Sequence, residues 1–180
     1  MKILAISGST RSASYNTKLL HVIQKIAVGV EVEVITLNNI PIFNQDLESS
    51  LPAEVMELKK KARMADAILI ATPEYNHMIP GALKNAIEWM TRDSGNVLEN
   101  KWLGIVGCSD GIFGTARAQV QLMTLGLIVG MKVAGKFRFY VPRAQDKFNE
   151  QGDITDPETM ERLTAFVQKY TDFLHKELHV

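Results

Sequence analysis

The sequence is short of the features that mark a secreted, membrane-spanning or nucleic-acid-binding chain. It has one cysteine, Cys108, so no internal disulfide can form. A single thiol fits a reducing compartment, and a cytoplasmic location is the expectation. Lys plus Arg and Asp plus Glu number 20 each. With no excess of either sign, neither a nucleic acid nor a membrane surface is expected as a partner. No apolar run is long enough to span a bilayer. Residues 1–6 resemble the start of a signal peptide, but the run is too short and no small-residue cleavage site follows, so a first buried strand is expected there. Gly-Lys-Ser/Thr is missing, which excludes a nucleoside-triphosphate P-loop. Gly-x-Gly-x-x-Gly is missing too, which excludes the dinucleotide fingerprint. His21, His175 and His179 have no partners at metal-ligand spacing, so no metal site is expected.

What is present is a globular pattern. The chain has 180 residues, 46% of them hydrophobic and 22% charged, enough for one domain, residues 1–180, with a real core. Continuous apolar runs at 2–7, 66–72 and 102–108 read as strands buried on both faces. A β-branched run at 31–37 adds another, and 132–140 holds a last one, interrupted by Gly135. Helical spacing covers 15–28, 52–65, 81–92, 115–129 and 157–176. Strand and helix alternate five times, which predicts an α/β flavodoxin-like three-layer sandwich. Its five-stranded parallel sheet has order 2-1-3-4-5, with helices on both faces.

Three loops after strands carry unusual chemistry. Gly8 to Thr17 opens a helix with the hydroxyls of Ser9, Ser14 and Thr17, the amide of Asn16 and the guanidinium of Arg11. Helix-start N–H groups plus an arginine suit a single terminal phosphate. The same residues would also make a Ser/Thr-rich turn with a helix cap. Pro73-Glu74-Tyr75-Asn76 offers a rigid bend, a carboxylate, a phenol and an amide, suited to a flat heterocycle with polar edges. By itself it could equally be a solvated proline turn. In the third loop, Ser109, Asp110, Gly111 and Gly114 precede a helix. The glycines permit close backbone approach, and Ser109 and Asp110 could also serve as caps.

Taken together, these motifs resemble the NADPH-dependent FMN reductase family, a flavodoxin-like group that includes flavin, quinone, azo-dye and chromate reductases. Gly8-Ser9-x-Arg11-x-x-Ser14-x-Asn16 matches its phosphate motif. Thr72-Pro73-Glu74-Tyr75-Asn76 with Pro80-Gly81-x-Leu83-Lys84-Asn85-Ala86-Ile87-x-Trp89 matches its flavin-ring motif. The likeness extends over essentially the whole chain, including Ile40-Pro41-Ile42-Phe43 and Gly114-x-Ala116-Arg117. Asp110 and Thr115 depart from it, standing where the family often has glycine or another small residue. The resemblance implies non-covalent FMN, with NADPH or NADH as co-substrate. It places Ser9, Arg11, Ser14, Asn16 and Thr17 on the phosphate and Tyr15 near the ribityl chain. Pro73, Glu74, Tyr75 and Asn76 would line the ring, and Ser109, Asp110, Gly111 and Gly114 would close the other side.

The implied reaction is ping-pong transfer of hydride to a small-molecule electron acceptor such as a quinone, free flavin, azo dye or chromate. No catalytic side chain is assigned, because the cofactor carries the chemistry. Helices 81–92 and 115–129 carry more apolar surface than one sheet face can bury. The resemblance adds a homodimer or homotetramer with the flavin near the subunit interface. The competing expectation is an electron-carrier flavodoxin. Such carriers use an acidic excess to steer toward redox partners, and this chain has none.

Overall fold

The computed structural model describes residues 1–92 and 95–179. The expected domain span of 1–180 includes residues 93, 94 and 180, which lie outside the described residues. Strands β1 (Lys2–Ser7), β2 (Glu31–Ile35), β3 (Ala67–Ala71), β4 (Trp102–Cys108) and β5 (Lys132–Val141) alternate with five helices. These are α1 (Tyr15–Ile26), α2 (Ala53–Met64), α3 (Gly81–Thr91), α4 (Ala116–Ile128) and α5 (Pro157–Leu178). All strand pairs are parallel, in the order β2-β1-β3-β4-β5. The predicted topology is the observed one.

The continuous apolar runs have a direct cause. Side chains alternate across a strand, and here both faces are covered. Ile3, Ala5, Leu69, Val106 and Cys108 pack with Leu19, Leu20, Leu163, Val167 and Leu174 of α1 and α5. Leu4, Ile6, Ile68, Ile70 and Ile105 pack on the other side with Leu58, Leu83, Ile87 and Leu122 of α2, α3 and α4. Each fully buried Leu or Ile contributes about 1.5–3 kcal/mol relative to an exposed one, so each face holds its helices through many such terms.

Two expectations change. In β5 the pairing steps from Leu103↔Val133 to Ile105↔Arg138. The segment around Gly135 therefore bulges out of register, and the strand resumes and runs to Val141 rather than ending at Tyr140. In α3, Leu83, Ile87, Trp89 and Met90 are all buried; this helix has no apolar surplus. The segment 40–43 covers it. Pro41 O accepts from both Trp89 Nε1 and Asn85 Nδ2 at 2.8 Å, and Phe43 N–H donates to Asn85 Oδ1 at 2.6 Å. Phe43 also meets Trp89 edge-on at 4.9 Å. The surplus sits on α4 alone, where Val120, Leu127 and Ile128 are exposed while Ala118 and Leu122 are buried.

Glycine in β4 lets the next loop fold back against the strand. A Cβ at Gly107 would lie 2.6 Å from the backbone O of Thr72 and would overlap the Thr115 side chain. Gly107→Ala should therefore destabilise the fold by about 1–3 kcal/mol, the usual range for overpacking a filled interior. Urea denaturation measures this, and an unchanged midpoint would show that the contact is not tight.

Candidate functional site

The C-terminal ends of β1, β3 and β4 bring the three loops together, as the crevice rule for open α/β sheets requires. They enclose a cleft of about 280 Å³ lined by residues of all three: Ser9, Arg11, Ser14, Tyr15 and Asn16; Pro73, Glu74 and Tyr75; and Cys108, Ser109, Asp110 and Gly111. Of the expected site residues, Thr17, Asn76 and Gly114 lie off this lining. Asn76 instead lines a smaller adjoining cavity of about 200 Å³, which shares Glu74, Ser109 and Gly111 with the main cleft.

The first loop is built as a helix start. Ser14 is the N-cap of α1, its Oγ accepting from Thr17 N–H at 3.3 Å. Ser9 is buried, and its Oγ accepts from the Arg11 N–H at 3.3 Å. Thr17 turns inward, its hydroxyl 2.8 Å from that of Ser7. Arg11 is exposed at the rim. The Asn16 side chain is committed elsewhere: its Nδ2 donates to Cys108 O at 3.1 Å and its Oδ1 accepts from Cys108 N–H at 2.9 Å. Asn16 thereby clamps α1 to the end of β4, satisfying two buried backbone groups that would otherwise be costly to leave unpaired.

In the second loop, Tyr75 and Met78 exchange backbone hydrogen bonds at 3.1 and 3.0 Å. Asn76 and His77 between them have φ of 50° and 64°, the mark of a type I′ turn. Pro73 is buried and Tyr75 is half-exposed. Glu74 does not point its carboxylate freely into the cleft. Its Oε2 accepts from the N–H groups of Arg117 and Ala118 at 2.9 and 3.0 Å. The N-cap of α4, Thr115, has φ 72° and makes no side-chain cap, so Glu74, 43 positions before Arg117, supplies the missing acceptor, favourably placed at the positive end of the helix dipole.

The third loop packs on β5. A Cβ at Gly114, where φ is 53°, would come within 2.9 Å of Pro142 N. The glycine serves close loop packing rather than the cleft. Thr115 occupies a left-handed conformation that β-branched residues rarely adopt. Its Oγ1 accepts from Gln119 Nε2 at 3.1 Å, and the space above Gly107 receives it. Gly111 is different: a Cβ there would meet only Ser109 Oγ, at 3.8 Å, so its backbone stands open toward the cleft. Cys108 forms part of the floor. Burial raises its thiol well above the ordinary value, and the nearby Asp110 charge adds to this, which keeps it protonated and a poor nucleophile.

The donor set at one end of the cleft suits a phosphate: buried hydroxyls, a helix N-terminus and an arginine. The buried proline, exposed phenol and open glycine backbone at the other end suit the edge of a flat ring. At about 280 Å³ the cleft lies at the small end of ligand pockets, so a mononucleotide ring would extend past it over the adjoining cavity. A larger space of about 530 Å³ lies between α3 and α4. Its walls are mostly apolar and include Met78 and Ile79 of the loop after β3.

The NADPH-dependent FMN reductase family profile matches residues 1–146. This chain belongs to that family. An NAD(P)H-dependent FMN reductase of Pseudomonas aeruginosa is 36% identical over 170 residues, covering 93% of this chain and 92% of the relative. A quinone reductase of Escherichia coli K12 is 32% identical over 181 residues, covering 98% and 96%. Among solved structures, the flavoenzyme NAD(P)H:(acceptor) oxidoreductase FerB of Paracoccus denitrificans matches with a TM-score of 0.89 at 34% identity, covering 97% of each chain. For this FMN reductase family member, the residues that sequence reasoning missed are structural partners of the site. Gly107 and Gln119 carry no local signal: Gly107 packs against Thr72 and Thr115, and Gln119 reaches Phe139 O.

The cap formed by Glu74 is testable. Glu74→Ala should lower stability by about 0.5–2 kcal/mol, the ordinary cost of losing an N-cap acceptor, and Glu74→Gln should lose less. Equal stability of all three proteins in chemical denaturation would show that α4 does not need this carboxylate.

Proposed function

We propose that this protein is an FMN-dependent NAD(P)H oxidoreductase that passes two electrons to a small-molecule acceptor. Quinones are the leading class, and free flavin, azo compounds and chromate are further candidates. One observation carries the reading: a single cleft joins the hydroxyl-lined start of α1, with Arg11, to the Pro73–Tyr75 bend and the open backbone of Gly111. Ser9, Arg11, Ser14, Tyr15, Asn16 and Thr17 hold the phosphate end, with Asn16 and Thr17 acting through the loop they fix. Pro73, Glu74, Tyr75, Asn76, Ser109, Asp110, Gly111 and Gly114 form or support the ring end.

Bound FMN supplies the hydride-accepting and hydride-donating chemistry. The protein's own residues position the ring and leave the side above the adjoining cavity accessible. NAD(P)H and acceptor use that space in turn, which makes the cycle ping-pong. For a quinone the balance is quinone + NAD(P)H + H⁺ → hydroquinone + NAD(P)⁺, with one proton drawn from solvent. The names of the Pseudomonas and Escherichia relatives support both the cofactor and the acceptor class.

The working unit we propose is a cytoplasmic homodimer or homotetramer of a single domain. The exposed Val120, Leu127 and Ile128 of α4, beside the apolar space against α3, support an interface there. Among the described residues no helix is long and apolar enough to cross a membrane.

Mixing FMN-loaded protein with NADPH or NADH without air tests the activity. The expected result is loss of flavin absorbance near 450 nm within seconds, and its recovery on adding a quinone. A stably bound flavin that neither nucleotide reduces would point instead to an electron carrier.

A further inference from the structure

We propose that the cavity of about 200 Å³ beside the main cleft is an acceptor subsite for planar electron acceptors bearing a negative charge, and that Arg117 selects them. This rests on the flavin oxidoreductase reading above. The cavity lies between Glu74, the Asn76–His77 turn, Ser109, Gly111, Phe113 and Arg117. It shares three residues with the main cleft, so a molecule in it borders the ring end.

Arg117 is its charged donor, and the Glu74 carboxylate also lines it. The Arg117 guanidinium lies 4.4 Å from the centre of the Phe113 ring, and its side chain is half-exposed. Stacking on an aromatic face restricts the guanidinium plane. Its Nη1 lies 3.0 Å from His77 Nδ1. A guanidinium has no acceptor, so it must donate in this bond. The same His77 nitrogen lies 3.5 Å from Glu74 Oε1, so the imidazole sits between the guanidinium and the carboxylate. The guanidinium is the permanently charged donor on this rim.

The Glu74 carboxylate beside it is partly committed to the start of α4. Glu74 Oε1 is 3.8 Å from Arg117 Nη1, but Oε2 takes two backbone N–H groups at the start of α4, and the side chain is only 10% exposed. Its charge is balanced chiefly by the helix end, and the outer edge of the guanidinium remains for a ligand. The exposed Phe113 ring supplies a flat apolar wall. A charged oxygen on a planar molecule gains charge-assisted hydrogen bonds here, whereas a neutral carbonyl gains far less. Arg117 takes no part in the electron balance; it acts on acceptor binding.

The test uses FMN-loaded full-length protein, reduced without air and mixed with 1,4-naphthoquinone-2-sulfonate or 2-methyl-1,4-naphthoquinone. The quantity read is the ratio of second-order rate constants, charged over neutral. Arg117→Met removes the charge but keeps an apolar stem; the backbone N–H that Glu74 caps is retained. The ratio should fall about tenfold in Arg117→Met, recover substantially in Arg117→Lys, and fall in the parent protein as salt is raised. An unchanged ratio in Arg117→Met overturns the proposal. So does an equal loss in the rate of reduction by NADPH, which would make Arg117 a nucleotide contact. Failure of the underlying reading looks different: a parent protein that binds no FMN, or one that neither nucleotide reduces.

Discussion

The cleft depends on the paired hydrogen bonds between the Asn16 carboxamide and the peptide groups of Cys108. At the end of a parallel strand the last N–H and C=O run out of ladder partners, and burial makes them expensive to leave unpaired. Asn16 answers both at once from the first turn of α1. The helix start that faces the phosphate end is thereby fixed against β4, two strands away in the sheet. Glu74 makes a second tie of the same kind, from the end of β3 to the start of α4. With these two ties the three loops form one frame rather than three independent turns, which is what holding a ligand in one orientation requires.

This frame divides the charged groups into distinct tasks. Glu74 is spent on a helix terminus, Arg11 stands at the phosphate end, and Arg117 stands at the opposite rim. The chain as a whole is electrically balanced, so selectivity must come from where single charges sit and how they are oriented, not from a long-range field. Cys108 fits the same economy: it is the only thiol, it lies on the cleft floor, and its burial keeps it out of the chemistry.

The fold was legible because its signal is local and repeated. Strands buried on both faces lose the polar alternation of half-exposed strands, and β1, β3 and β4 show this directly. The bulge of β5 was half-visible at Gly135, but its extent is a matter of pairing with β4, which only the packed sheet determines. The surplus attributed to α3 failed for a related reason. Trp89 and Asn85 are covered by Pro41 and Phe43, more than 40 residues earlier. The site was legible as a set of loops and less so as a set of roles. Asn16, Thr17, Glu74 and Gly114 look like ligand contacts by residue type, yet in the fold their side chains or Cα meet Cys108, Ser7, the α4 backbone and the chain at Pro142. A polar side chain's type says what it can bond. Only the fold says which partner reaches it first.

The central claim is that the α1 end of this cleft is a phosphate site and the far end a ring site for one ligand. Comparing the dissociation constants of FMN and riboflavin by titration calorimetry on flavin-free protein tests it most directly. The two ligands share the ring and differ in the phosphate. The account predicts FMN binding at a stoichiometry of one per chain and at least about 100-fold tighter than riboflavin, the effect of two or more charge-assisted hydrogen bonds. Equal affinities would contradict it, since the hydroxyls, helix start and arginine would then have no phosphate to hold.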